Sequence, residues 1–489
     1  MIGIRWSNYY QHKGVEVMQF VDKDLKSIQE ARILVESARD AHFLLREYDQ
    51  ETLDRMIQRM ITEVQQLLSE LAAFEVSVTG KGNEQDKTQL YQSFLAQFND
   101  SLQEQVIGVL NTNGAPLSKI GIPFGVAAVI LPAENIVLNA LFATLSALKA
   151  GNTVILIPPN KTEEAAAKLV EILNQANSGL PKSSFSYMEN TTIEGVKALI
   201  EQESVDLVIN IGMADYFDLR AYPKPIIYGG CGSVPVFVER TADVSQAAQA
   251  IVSSRAFDNG LLPSAEQFVI AESVIAKEVK EQMIEAGAHF MSVAEEKQLL
   301  TKLFLSNEIN PSIVGKDAQT IAGIAGFTVS EKTKVLVSEQ PYIFDENPFT
   351  TALKCPILTF YLESDWIHAC DKCIQLLKEK RNGHTLAIHS NNQCIIKEFA
   401  LKKPVGRMIV NAGASLAGIG IDSSLPVSLI LGGMTTGRGF KAKNITAKDL
   451  TYVREIGYTS VKEPSKGVNK RVSDEQLLIE KFLQKIIEQ

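Results

Sequence analysis

Between Gly125 and Ile157 the chain alternates strand, helix and strand with little polar interruption, and this rhythm constrains the fold more than any other feature. Gly125 to Leu131 is an apolar run of strand length, Asn135 to Lys149 has the length of a helix, and Thr153 to Ile157 is a second apolar run. Two buried strands joined by a helix must lie parallel, through a right-handed crossover. The pattern continues with a turn at Pro158-Pro159-Asn160, a helix over Thr162 to Gln175, a strand over Ser184 to Met188, and another over Asp206 to Ile211 that ends at Gly212. Pro132, Glu134, Asn135 and Lys149 break the most apolar region, so it reads as a buried α/β core and not as a membrane span.

The flanks divide the rest. Asp22 to about Ala73 carries apolar residues at three- and four-residue intervals, a helical pattern. A hairpin follows over about 105–124, turning near Asn113-Gly114. Texture changes around Pro235 to Val238, where a second α/β unit starts with a helix over Ala242 to Ser254. Strands are expected at Thr333 to Val337 and Leu386 to His389, with a helix from Trp366 to Lys378 between them. Met408 to Asn411 reads as a late strand returning to the first unit. A polar linker precedes a C-terminal helix with a capping-box start at Ser473 and Gln476, and an apolar stripe through Leu478, Ile479, Phe482, Leu483 and Ile486. The resulting division is 15–232, 233–407, 408–462 and 463–489.

The net charge of −9 argues against nucleic acid as the main partner, because phosphate binding needs a basic face. Five cysteines, at 231, 355, 370, 373 and 394, are too scattered for a disulfide framework and point to a reducing compartment. The first residues show no apolar secretion segment, so the expected location is cytoplasmic.

Several stretches, in collinear order, resemble the CoA-acylating branch of the aldehyde dehydrogenase superfamily. They are I-G-I-P-F-G-V-A-A-V-I-L-P-A-E-N, L-S-A-L-K-A-G-N-T-V-I-L-I-P-P-N, G-C-G-S-V-P-V-F-V-E-R-T-A-D-V, F-D-N-G-L-L-P-S-A-E-Q, G-F-T-V-S-E-K-T-K-V-L-V-S-E and E-N-P-F. The resemblance covers roughly Asp22 to Tyr458. It implies a Rossmann-like NAD domain, a second α/β domain of catalytic type, and a hairpin used for assembly into homodimers or homotetramers. It also implies a reaction in which aldehyde, CoA and NAD, or NADP, give acyl-CoA and the reduced nucleotide. In that reaction a cysteine thiolate attacks the aldehyde, and a backbone amide and an asparagine hold the resulting oxyanion. Asn135 matches that asparagine. Ile130, Leu131, Asn135, Pro158, Gly212 and Gly230 match cofactor-groove positions. A hydrolytic glutamate would fall at Gly229.

The resemblance breaks at the nucleophile. The cysteine of the fingerprint falls on Pro263, which has neither a thiol nor an amide N–H. A ribose-holding glutamate would fall at Ala352, and Met434 and Arg438 add bulk to a loop that is slim in the family. Two replacement nucleophiles are candidates. Ser264 adjoins the vacancy, although a loop hydroxyl bonded to backbone is the plainer reading. Cys231 lies in a glycine-rich turn, and the plainer reading there is a small inert thiol. Cys370 and Cys373 sit inside a predicted helix and read as core packing, so no metal site is expected. His384 reads as structural or rim-lining. Asn135 has a second reading as the cap of the helix it opens. The terminal helix reads as a packing face, or as a segment that addresses the protein to a bacterial microcompartment shell. Function therefore stands between an acylating dehydrogenase whose ordinary reaction is impaired and a non-catalytic member that binds nucleotide or serves as a structural or targeting subunit.

Overall fold

The computed structural model describes residues 22–110, 119–177, 179–212, 222–230, 232–306, 308–343, 348–378, 383–433 and 441–458. Cys231, Met434, Arg438, the Asn113-Gly114 turn and the C-terminal helix lie outside the described residues. Four helices come first: α1 (Lys23–Leu45), α2 (Gln50–Gln66), α3 (Leu68–Thr79) and α4 (Glu84–Ser101). Asp22, Asp49 and Asn83 cap α1, α2 and α4 by accepting backbone N–H groups, and Gly80 ends α3 in the left-handed conformation.

Strands β1 (Gly108–Val109) and β2 (Lys119–Pro123) pair antiparallel. The first α/β unit contains β3 (Val126–Ile130), α5 (Ile136–Lys149), β4 (Thr153–Ile157), α6 (Glu163–Ala176), β5 (Phe185–Tyr187), α7 (Ile193–Glu201), β6 (Leu207–Asn210) and β7 (Ile226–Tyr228). Its sheet is wholly parallel in the order β5-β4-β3-β6-β7. The chain steps outward from β3 to β5 and then restarts on the other side with β6. That reversal opens a crevice between the carboxyl ends of β3 and β6, the usual ligand position in such sheets.

The second unit contains β8 (Val234–Val238), α8 (Val244–Ala256), β9 (Glu266–Glu272), α9 (Ala276–Ala286), β10 (Ala288–Phe290) and α10 (Val293–Leu303). A small pair follows, β11 (Phe304–Leu305) and β12 (Glu308–Ile309), then α11 (Ala318–Ala325), β13 (Val335–Glu339), β14 (Ile357–Glu363), α12 (Trp366–Lys378), β15 (Thr385–His389), α13 (Gln393–Lys402) and β16 (Arg407–Val410). Seven of these strands form one parallel sheet, β10-β13-β14-β9-β8-β15-β16. The sequence assigned the last strand to a return into the first unit. It instead pairs with β15 as the edge of this second sheet, because its alternating burial lets one face close the core and the other meet solvent. The return follows later: Ile419, Ile421, Leu429, Ile430 and Leu431 join the core of the first unit, and β17 (Thr451–Glu455) pairs with β2. That three-stranded sheet exposes Val109, Tyr452 and Val453.

Candidate functional site

The crevice between β3 and β6 ends in a small cavity of about 30 Å³. Its wall brings together residues far apart in the chain: Pro132, Glu134, Asn135 and Asn139 at the start of α5, Ile211 after β6, Gly230, then Leu261, Leu262 and Pro263, with Lys354 and Leu429. Close backbone approach requires glycine on the rim. A Cβ on Gly212 would stand 2.1 Å from the Leu131 carbonyl oxygen, and one on Gly230, at φ +128°, would stand 2.5 Å from that of Ile211.

Of the positions expected to line the groove, Asn135 and Gly230 line the cavity and Gly212 is exposed at its rim. The side chains of Ile130 and Leu131 are 1% exposed and belong to the hydrophobic cores, because a central strand flanked on both sides buries both faces. They can meet a ligand only through backbone. Pro158 is buried just beyond β4.

Asn135 is not the cap that the sequence suggested. It takes a left-handed conformation, φ 48° and ψ 42°, and makes no side-chain capping bond. Its Oδ1 instead accepts from the Lys87 ammonium at 2.6 Å, and its Nδ2 is buried without a partner among the described residues. Lys87, in α4, is fully buried, with Glu75 Oε1 and Asp258 Oδ2 each at 3.0 Å. Burial alone would lower the Lys87 pKa, but the charges of Glu75 and Asp258 outweigh it and raise the value, so the amine stays protonated. Asp258 opens a tight turn in which it and Asn259 both have positive φ. Its Oδ1 accepts the Asn83 N–H at 2.9 Å.

Glu134 bridges Lys354 at 2.8 Å and Lys81 at 3.4 Å. Burial would raise its pKa, yet the two lysines hold the carboxyl below its ordinary range. The wall thus carries one unpartnered amide donor and a compensated carboxylate, among apolar residues. Such a pocket can hold a carbonyl oxygen.

Ser264 stands apart from the cavity. It is fully buried, donates to the Ser415 carbonyl at 2.9 Å, and is not part of the cavity wall. Cys355 lies behind the turn, where a Cβ on Gly260 would stand 2.8 Å from its carbonyl group. Burial pushes its thiol up to about 12, far from a thiolate. Cys370 and Cys373 pack inside α12 as the sequence indicated, and burial raises the Cys373 thiol to about 12. Among the described residues no group of three or more His, Cys, Asp or Glu could hold a metal ion, and no helix is long and apolar enough to cross a membrane. His384 is buried, and its ring faces the backbone of Pro263 and Gly230. Burial and the neighbouring Arg407 hold it neutral, with a pKa of about 3.

The loop carrying Pro263 is anchored on both sides. The Gln267 amide donates to the Phe349 and Thr351 carbonyls at 3.0 and 2.7 Å and accepts the Leu353 N–H at 2.8 Å. Glu266, fully buried, accepts from the Ser254 hydroxyl and from the Ala414 N–H at 2.6 Å. Burial raises its pKa from 4.5 to about 7, against the opposing pull of these bonds and Arg255. A buried acid with a raised pKa is best tolerated when protonated, so its contribution to stability falls as pH rises through 4.5 to about 7. The difference corresponds to roughly 3 kcal/mol. Glu266→Gln is expected to gain on the wild type by about that amount across the window in urea titrations. A difference independent of pH would refute this.

Residues 9–345 match the model of the aldehyde dehydrogenase family. A bifunctional aldehyde-alcohol dehydrogenase of Escherichia coli strain K12 is 28% identical over 436 residues, covering 87% of this chain and 49% of the relative. A succinate-semialdehyde dehydrogenase (acetylating) of Clostridium kluyveri is 29% identical over 431 residues, covering 87% of this chain and 95% of the relative. The chain thus spans about half the length of the first and nearly all of the second. The crystal structure of an acetylating aldehyde dehydrogenase from Geobacillus thermoglucosidasius superposes with a TM-score of 0.86 at 28% identity, covering 91% of this chain and 100% of that one.

Proposed function

Because the chain belongs to the aldehyde dehydrogenase family, with relatives in its acylating branch, we propose that it keeps an aldehyde pocket of CoA-acylating type whose ordinary thioester-forming turnover is lost. One observation carries this reading. Pro263, where the resemblance places the family's cysteine, stands in the wall of the same small cavity as the unpartnered Asn135 amide. A cyclic imino acid can neither attack a carbonyl nor donate an amide hydrogen to the oxyanion. The described thiols at Cys355, Cys370 and Cys373 are buried, Cys394 is exposed on α13, and none of the four lines the cavity.

The other parts of that reaction fit the residues present. NAD or NADP would lie over the crevice at the carboxyl ends of β3 and β6, where Gly212 and Gly230 let the neighbouring backbone segments pack closely. It would accept hydride. Asn135 would hold the aldehyde oxygen through Nδ2, Gly229 offers no carboxylate where the hydrolytic glutamate would fall, and the Glu134 carboxylate in the wall is tied up by Lys354 and Lys81. CoA would be the acyl acceptor in a working member of the branch. Without the nucleophile, the scaffold serves as a nucleotide- or aldehyde-binding subunit. Self-association through the exposed three-stranded sheet is part of the proposal, since an exposed strand edge invites pairing with a second copy.

The test is to incubate the purified protein with propionaldehyde, NAD and CoA and follow reduced nucleotide at 340 nm. The expected result is no turnover above the protein-free rate. Brisk turnover that disappears in Cys231→Ser would overturn the proposal in favour of a relocated thiol. A thermal-shift titration with NAD and NADP separates retained from lost nucleotide binding, because a ligand bound to the native state raises its melting temperature.

A further inference from the structure

We infer that Lys87 is a positioning residue for the pocket: it fixes the orientation of the Asn135 amide, and so aims the one unpartnered donor at the ligand. The inference deepens the reading of the cavity given above and rests on it. The argument is a count of donors and acceptors. An ammonium has three N–H donors and no lone pair, and Lys87 meets three acceptors, Glu75 Oε1 at 3.0 Å, Asp258 Oδ2 at 3.0 Å and Asn135 Oδ1 at 2.6 Å. Turning the amide over would set its NH₂ donors against the ammonium and lose the shortest of these charge-assisted bonds.

The other two acceptors are themselves immobilised. Glu75 Oε2 accepts from the Tyr91 hydroxyl at 2.6 Å and from the Val137 N–H at 2.9 Å, while Asp258 accepts from the Asn83 N–H. Lys87 therefore cannot swing away from Asn135 without leaving two carboxylates uncompensated.

With Oδ1 occupied, Nδ2 is the only part of the amide free to serve a ligand, and it is buried without a partner in the wall that Pro263 shares. An unsatisfied buried donor carries a cost of about 1–3 kcal/mol. The positive φ of Asn135 adds strain of a similar order. Two costs held at one residue, by a fully buried cation, are what a donor aimed in advance at an incoming oxygen requires. The lysine charge on Oδ1 also polarises the amide, which strengthens Nδ2–H as a donor.

The experiment uses the Pro263→Cys protein, assayed with propionaldehyde, NAD and CoA, with Asn135→Ala and Lys87→Met placed on it singly and together. Asn135→Ala is expected to lower kcat by roughly 10²- to 10³-fold. Lys87→Met is expected to lower kcat on the order of 10- to 10²-fold with KM little changed. The double variant is expected to be no slower than Asn135→Ala alone. Losses that multiply would overturn the inference, because they would show Lys87 acting independently of the amide. Lys87→Met/Glu75→Gln, which removes one of the stranded carboxylates, replaces the single variant if that one does not fold. If Pro263→Cys itself is inactive, the reading of an intact pocket fails, and neutron diffraction from wild-type crystals decides the Lys87 inference separately. Asn135 amide deuterons on the cavity side support it, and amide nitrogen facing Lys87 overturns it.

Discussion

Replacing Pro263 with cysteine is expected to give a protein that accepts an acyl group, where the wild type, on the function proposed above, does not. The change restores two things at once. A thiol near the Asn135 donor can attack a carbonyl carbon, and the new backbone N–H can share the oxyanion. Incubation of the variant with propionyl-CoA should transfer the propionyl group to the new sulfur and release CoA, seen in the intact mass as one added acyl group. Propionaldehyde, NAD and CoA should then yield reduced nucleotide at least roughly 10²-fold above the wild-type background, given that removing a covalent nucleophile can cost on the order of 10⁶ in kcat. The substitution also frees one backbone dihedral in the unfolded chain, at a cost of about 0.4–1 kcal/mol, too little to unfold the protein. A variant that folds, carries a free thiol at 263, and neither takes up the acyl group nor reduces NAD would show that the pocket has lost more than its sulfur.

The largest expected loss of stability belongs to Arg407→Met. Arg407 is 4% exposed and has no carboxylate partner among the described residues. Its guanidinium instead gathers oxygens: the His384 carbonyl at 2.9 Å, Thr385 Oγ1 at 3.1 Å, Asn444 Oδ1 at 2.6 Å, and the Gly432 and Ala442 carbonyls at 2.7 and 2.9 Å. Burial lowers its pKa to about 10, which leaves it charged at neutral pH. Those bonds fasten the segments around Gly432 and Ala442 to the edge of the second sheet, and Gly406 lies so close that a Cβ there would overlap the Ala442 oxygen. Methionine fills most of the volume and satisfies none of the oxygens. The expected cost is roughly 3–5 kcal/mol, from stranded acceptors at about 1–3 kcal/mol each with partial relaxation. An unfolding free energy from urea titration within about 0.5 kcal/mol of the wild type, the size of a neutral surface change, would show that water replaces the guanidinium.

Most of the scaffold was legible because apolar runs at strand spacing have few alternatives. β3 and β4 fall where continuous apolar runs put them, and α12 begins and ends at the expected residues, Trp366 and Lys378, whereas β8, which holds Pro235, was read only as a change of texture. The site was less legible, for three separate reasons. Lys87 sits in E-Q-D-K-T-Q, a charged stretch that reads as a solvated helix face, since lysine is rarely fully buried. Its burial is decided by Glu75 and Asp258, which lie in other elements, so local pattern carries no sign of it. Asn135 stands at a helix start, where a capping asparagine is the ordinary expectation. The family resemblance matches it instead to an oxyanion-holding asparagine, and the left-handed backbone and the lysine beneath it are what set the side chain apart from a cap. Ser264 adjoins Pro263 in sequence, but the chain turns its hydroxyl away toward Ser415.

Lys87 is separated along the chain by 48 positions from Asn135 and by 171 from Asp258. Anyone trimming this architecture to a minimal core would keep the two parallel sheets and discard the leading helices as a dispensable coat. Such a fragment would forfeit the cation around which the pocket's two halves are registered, leaving Asp258 with no counterion and Asn135 able to rotate. The helical layer is thus a tie-beam between the sheets, and any redesign of this pocket has to begin from it.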